Sequence, residues 1–266
     1  MLRRLLLDRR RGALWWSTGT SSGVATIVAL WSSVKNSADL EDVIKNLPKG
    51  VRALFGTQAD ISISSAPGYL QARLFATILP VLLLVYAIGL GARIVGGAEE
   101  DGTLQLVVAS PVTRRRIAIE RFGGAKVLVL LQVVVGLVTG IAVGAAVGVF
   151  DDVSMGRFVV ATVAVAELAL LHLAIAFAVG AATGRRGPAR SAASAVAVGG
   201  YVVYGIASSA AALRSLRVVS PWWWYLDRNM LVQDPTFLSL GLPLVLATAI
   251  VVAGIAAYER RDLRLP

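Results

Sequence analysis

Long uncharged apolar runs alternate with short polar intervals along this chain, and the runs are long enough to cross a membrane. A hydrocarbon core about 30 Å thick takes about 20 apolar residues of helix. Six runs qualify, predicting helices over 12–34, 73–96, 125–150, 158–183, 191–213 and 235–258. The first is the weakest, because Ser17, Thr18, Thr20, Ser21 and Ser22 interrupt it. Pro80 lies inside the second run, Pro243 inside the sixth, and Glu167 and His172 inside the fourth. The main intervals are a basic lead over 1–11, a segment over 35–72, a polar loop over 97–124, an aromatic loop over 214–234 and a tail over 259–266. The expected fold is all-α, a polytopic membrane protein forming one transmembrane domain over 1–266.

Within the 35–72 interval, Leu40, Val43, Ile44, Leu47, Val51, Leu54 and Phe55 recur at three and four, a helical stripe. Pro48 and Gly50 divide it into two short helices, which predicts a segment lying on the membrane surface or capping the bundle. The lead could be taken for a signal peptide. The apolar run after it is too long and too rich in Ser and Thr, and no small-x-small cleavage site follows. It therefore reads as an uncleaved interfacial lead, with Trp15 and Trp16 marking the inner interface and Trp31 the outer one.

Composition supports this picture. The 266 residues are 56% hydrophobic and only 16% charged, against about 25% charged in soluble domains. The mean hydropathy is +0.72. With no cysteine, disulfides, thiolate metal sites and cysteine nucleophiles are excluded, and one histidine with three methionines argues against metal handling. The 22 Arg and 4 Lys fit a GC-rich bacterial genome.

The net charge of +10 is explained by its placement. Six spans put both termini on one side, and the intervals on that side hold 17 Lys and Arg against 9 on the other. The positive-inside rule makes the richer side cytoplasmic. The basicity is then topological and gives no reason to invoke nucleic acid.

The loop carrying Glu99, Glu100, Asp101, Gly102 and Thr103 is the main polar interruption on that cytoplasmic side. Asp101 is placed to cap a short helix over about 102–109, with Glu99 and Glu100 opposing the positive end of its dipole. Leu104, Val107 and Val108 would form its apolar face, Ser110-Pro111 would end it, and Thr113 would cap the next helix ahead of Arg114. Two readings stay open on physics alone: an amphipathic helix resting on lipid, or a site that docks a soluble partner.

Other candidates are Glu167 and His172, the ionisable pair deep in a span, serving a proton relay, a substrate contact or a structural hydrogen bond. Tyr201 and Tyr204 either line a cavity or bond to neighbours. Gly136, Gly140, Gly144 and Gly148 form a small-residue stripe for packing within the bundle or between subunits. Trp222, Trp223, Trp224 and Tyr225 read as an interfacial aromatic belt, with a substrate-exit contact as the second reading. There is no Gly-x-x-x-x-Gly-Lys, no serine with an evident base and no paired carboxylates, so the chain is expected not to be an enzyme.

Several motifs in order resemble one family. They are Leu7-Asp-Arg-Arg-Arg11 before Trp15-Trp16, Asn46-Leu-Pro-Lys-Gly-Val-Arg-Ala-Leu-Phe-Gly56, Gly68-Tyr-Leu70, Glu99-Glu-Asp-Gly-Thr-Leu104 with Ser110-Pro-Val-Thr-Arg114, Ser220-Pro-Trp-Trp-Trp-Tyr-Leu226 with Asp234-Pro235, and Tyr258-Glu-Arg-Arg-Asp-Leu263. Together they resemble the six-helix permease subunits of bacterial ABC-2 type exporters, especially drug and polyketide-antibiotic exporters with the type V exporter-like fold. The resemblance implies a second permease, identical or homologous, and two separate ATP-binding subunits. It also implies a coupling helix over 99–110 that enters the ATPase, and a hydrophobic drug, antibiotic or lipid as cargo. ATP and Mg would sit on the partners, with no cofactor on this chain, and the location would be the bacterial inner membrane. Glu167 and His172 have no counterpart role in that pattern. The rival readings are a proton-coupled secondary transporter using Glu167 and His172, and a non-transporting membrane anchor or immunity-type protein.

Overall fold

The computed structural model describes residues 9–35, 62, 64–103, 112–209 and 211–261. The lead before residue 9, most of the 35–72 interval, and Leu104, Val107, Val108, Ser110 and Pro111 lie outside the described residues. Among the described residues the structure is helices and turns. Helix α1 is Arg10–Ala29, and α2 is a continuous rod over Ala66–Glu100. Then come α3 (Arg114–Ala146), α4 (Met155–Thr183), α5 (Arg186–Ser209), the short α6 (Pro221–Leu226) and α7 (Leu242–Arg260).

Helix α4 is the centre of the bundle. It is apolar all round, as a helix buried on every side must be. It packs against α2, α5, α7 and α3. Close approach is possible because small residues face one another. A Cβ added at Gly91 of α2 would lie 2.6 Å from the Leu173 carbonyl, and one at Gly254 of α7 would lie 2.8 Å from the Ala178 backbone. Substitution at either position would force α2 or α7 away from α4.

Among the described residues, five helices are long and apolar enough to cross a membrane: Ala66–Glu100, Arg114–Ala146, Met155–Thr183, Arg186–Ser208 and Phe237–Arg260. The sixth expected span corresponds to α1, which is 20 residues long but carries the hydroxyl cluster. Two of those hydroxyls, of Ser17 and Ser21, bond to α3. Ser17 donates to Gln132 Oε1 (3.3 Å), Ser21 lies 3.0 Å from the Thr139 hydroxyl, and Gln132 Nε2 donates to the Ala13 carbonyl (3.3 Å). The polar face of α1 is thus an adhesive seam, as expected where apolar contact alone gives helices little reason to associate.

Helix boundaries follow local chemistry. Thr113 caps α3 as the sequence predicts, accepting from the Arg116 N–H (3.4 Å), and Ser154 caps α4 by accepting from Arg157 N–H (3.2 Å). Two helices extend beyond their apolar runs. α2 begins at Ala66 rather than 73 and continues to Glu100, and α3 begins at Arg114 rather than 125. Hydropathy marks only the apolar portion of a helix, so it misses polar turns that project beyond it. Helix α2 carries two π-helical stretches, Gln71–Ile78 and Arg93–Gly97.

The small-residue stripe is shorter than the spacing suggests. Gly136 faces Leu79, Thr20 and Val24, the Phe158 ring fills the space at Gly140, and the Phe150 ring that at Gly144. All three glycines therefore receive neighbours from the same chain. Gly148 does not belong to the stripe, because α3 ends at Ala146 and Gly148 turns the chain at φ +75°.

Candidate functional site

The polar turn at the end of α2 is a junction of helix ends. Glu99 and Glu100 are in the last turn of α2 itself. Asp101 closes that helix, its N–H donating to Gly97 O (2.9 Å), and Gly102 reverses the chain at φ +68°. The sequence expected these acids to precede and cap a separate helix. Glu99 and Glu100 extend α2, whose π-helical Arg93–Gly97 carries the rod through the glycines, while nearly all of the expected helix over about 102–109 lies outside the described residues.

The three acids reach two arginines. Glu99 forms an ion pair with Arg261, just beyond α7, and both side chains are largely buried. Arg114, at the start of α3, donates to the Arg261 carbonyl (2.6 Å). Glu100 pairs with Arg186 (2.9 Å) and also accepts from the Arg186 backbone N–H (3.2 Å). A carboxylate there satisfies a free N–H and opposes the positive end of the α5 dipole. Asp101 adds a second, longer contact to the Arg186 guanidinium (3.4 Å). Thr103 donates back to the Ala98 carbonyl (3.1 Å). The end of α4 completes the junction. Gly184 ends α4 at φ +68°, and a Cβ there would collide with the Glu99–Arg261 pair.

Arg121 of α3 donates to the Ile94 carbonyl within the second π-stretch (2.6 Å). The acidic turn is thereby tied directly to α5 and the end of α7, and α3 is joined through Arg261 and Ile94, while α2 carries the turn.

The other candidate residues are dispersed. Glu167 and His172 are both buried on α4. His172 Nδ1 lies 2.8 Å from the Leu168 carbonyl of its own helix, while His172 Nε2 and Glu167 Oε2 have no partner among the described residues. The two side chains make no hydrogen bond to each other. Tyr201 packs edge-on against Trp222 (4.8 Å), and Tyr204 is buried.

The aromatic cluster is packed inward more than an interfacial belt would be. Trp222 and Tyr225 are buried, Trp222 Nε1 donates to the Ala197 carbonyl (2.7 Å), and the Tyr225 hydroxyl donates to the Phe75 carbonyl (2.5 Å). Ser220 donates to Gly200 O (2.7 Å), fixing α6 across α5. Trp223 and Trp224 are half-buried, with Trp224 Nε1 donating to the Val218 carbonyl (2.8 Å). Helix α6 is therefore a plug joining α5 to the first π-stretch of α2. Side-chain direction along one short helix divides its aromatics between core and surface, and an unbroken aromatic run in sequence conceals that division.

A cavity of about 410 Å³ lies between the start of α1, the second half of α2 and the start of α5. Among its lining residues are Arg9, Arg93 and Arg190. None of Glu167, His172, Tyr201 or Tyr204 lines it. In the sequence Arg93 and Arg190 counted only as topological charge, and Arg9 also as part of the Leu7–Arg11 motif.

No curated protein matches the sequence. The family model described as "ABC-2 family transporter protein" matches residues 23–263, nearly the whole chain, and includes all five apolar helices and the acidic junction. This multi-pass membrane protein belongs to the ABC-2 transporter family.

Proposed function

We propose that the chain is a permease subunit of an ATP-driven exporter, with the acidic junction as the point where a partner ATPase drives it. ABC-2 membrane subunits generally work with ATP-binding subunits and are typically the non-enzymatic part of the transporter. The reading has α1 as the sixth span, both termini cytoplasmic on the 17-to-9 charge split, and the bacterial inner membrane as the location. Two permeases, identical or homologous, enclose the pathway. Two ATP-binding subunits carry ATP and Mg, and the cargo is a hydrophobic drug, antibiotic or lipid.

One observation carries this: the turn at Glu99–Asp101 is bonded to the start of α5 and to Arg261 after α7, and Arg261 in turn to the start of α3. A load applied next to this turn, on the segment 104–111, reaches four helices at once. Closure of the ATPase dimer then tilts α2, α3, α5 and α7 together and changes which side of the membrane the pathway faces. The ATPase supplies the differential free energy between the two states, and the junction transmits it.

The test is ATPase stimulation by substrate in the reconstituted complex. Glu100→Ala combined with Leu104→Ala is expected to leave assembly intact and to uncouple hydrolysis from transport. Normal coupling in an assembled double variant overturns the assignment.

A further inference from the structure

The arginine-lined cavity has a specific chemistry. Arg9 comes from the residue before α1, Arg93 from the second π-stretch of α2, and Arg190 from the first turns of α5. Trp16, Val85 and Tyr86 supply apolar wall beside them. Among the described residues none of the three arginines forms an ion pair, and four acids of this end pair with other arginines. Glu99 is on Arg261, Glu100 and Asp101 are on Arg186, and Glu120 is on Arg116. Positive charges serving only as topological signals need not converge. Here three separate elements bring theirs to one cavity, with no ion-paired acid on any of them among the described residues and Asp101, itself held by Arg186, acting on Arg93 from further off. A guanidinium presents a planar fork of donors suited to phosphate oxygens, and basic pockets between membrane helices accept lipid headgroups.

We propose that this cavity binds the phosphate headgroup of an anionic phospholipid, with Arg9, Arg93 and Arg190 around the phosphate and the hydrocarbon chains along Trp16 and Val85. A bound anion removes the mutual repulsion of the three guanidiniums and joins α1, α2 and α5 through one ligand. That the lipid comes from the inner leaflet rests on the cytoplasmic orientation proposed above. The binding chemistry does not.

The test is equilibrium binding to the purified full-length chain in uncharged detergent, using phosphatidylglycerol, phosphatidylcholine and inorganic phosphate as separate probes. Phosphatidylglycerol is expected to bind at least about tenfold more tightly than phosphatidylcholine. Millimolar inorganic phosphate is expected not to displace it. Arg93→Gln with Arg190→Gln is expected to weaken phosphatidylglycerol about tenfold without lowering the unfolding temperature, whereas Arg93→Lys with Arg190→Lys keeps most of the affinity. Equal binding of the two lipids, or unchanged affinity in the glutamine double variant, overturns the proposal. Displacement by inorganic phosphate also overturns it, reassigning the cavity to a free anion. The assay needs no ATP-binding subunit, so a failed coupling experiment and a failed lipid titration are separate results.

Discussion

Replacing Glu99 by Gln is the most revealing single change at the junction. The Glu99 side chain is 7% exposed and that of Arg261 is 17% exposed, so the substitution strips a buried guanidinium of its counter-charge. Removing one member of a fully buried pair costs about 3–5 kcal/mol. The residual exposure of Arg261 lowers this to about 2–3 kcal/mol, a fall of about 5–10 °C in unfolding temperature for a chain of this size. Arg261 has little to fall back on, since its Nε already lacks an acceptor among the described residues. Thermal unfolding in detergent, followed by tryptophan fluorescence, measures the effect. The double variant Glu99→Gln with Arg261→Gln is expected to be more stable than Glu99→Gln alone, because no unpaired charge remains. Glu100→Gln provides the contrast. Its pair with Arg186 is 31% and 46% exposed, worth at most about 1 kcal/mol. A Glu99→Gln protein that melts with the wild type, or a double variant whose loss equals the sum of the two singles, would refute the reasoning.

Gly184→Ala is expected to destabilise by about 1–3 kcal/mol, since it imposes a left-handed residue and crowds the Glu99–Arg261 pair; the same unfolding assay checks it. Tyr225→Phe removes a buried donor to the Phe75 carbonyl and is expected to cost about 1–2 kcal/mol, with faster hydrogen exchange around the first π-stretch of α2 as the local signature.

The sequence disclosed the fold through its periodic apolar content. Hydropathy located α2, α3, α4, α5 and α7, and Thr113 announced the start of α3. It could not give the π-stretches, because a one-residue change in hydrogen-bond register leaves composition untouched. The acids at 99–101 stood out as candidates at once. Their partners Arg186 and Arg261 lie 86 and 162 residues away for Glu100 and Glu99 respectively, so nothing local to the loop indicates the junction. Glu167 and His172 attracted attention by their rarity within an apolar run, yet the structure separates them from each other and from the cavity. Arg93 and Arg190 drew no notice beyond topological charge, and Arg9 only as part of the basic lead, for the opposite reason. Arginine is ordinary at the ends of membrane helices, and only three-dimensional convergence distinguishes these three.

The hydroxyl seam between α1 and α3 has a consequence for biogenesis. Ser17 and Ser21 find their partners 115 and 118 residues further along, in Gln132 and Thr139. During synthesis α1 therefore leaves the ribosome well before the helix that matches its polar face. Until α3 arrives, a lipid environment offers those hydroxyls only their own backbone, as Thr18 illustrates by donating to the Leu14 carbonyl. α1 thus settles into its final contacts only after α3 has been made, although it is synthesised well before it.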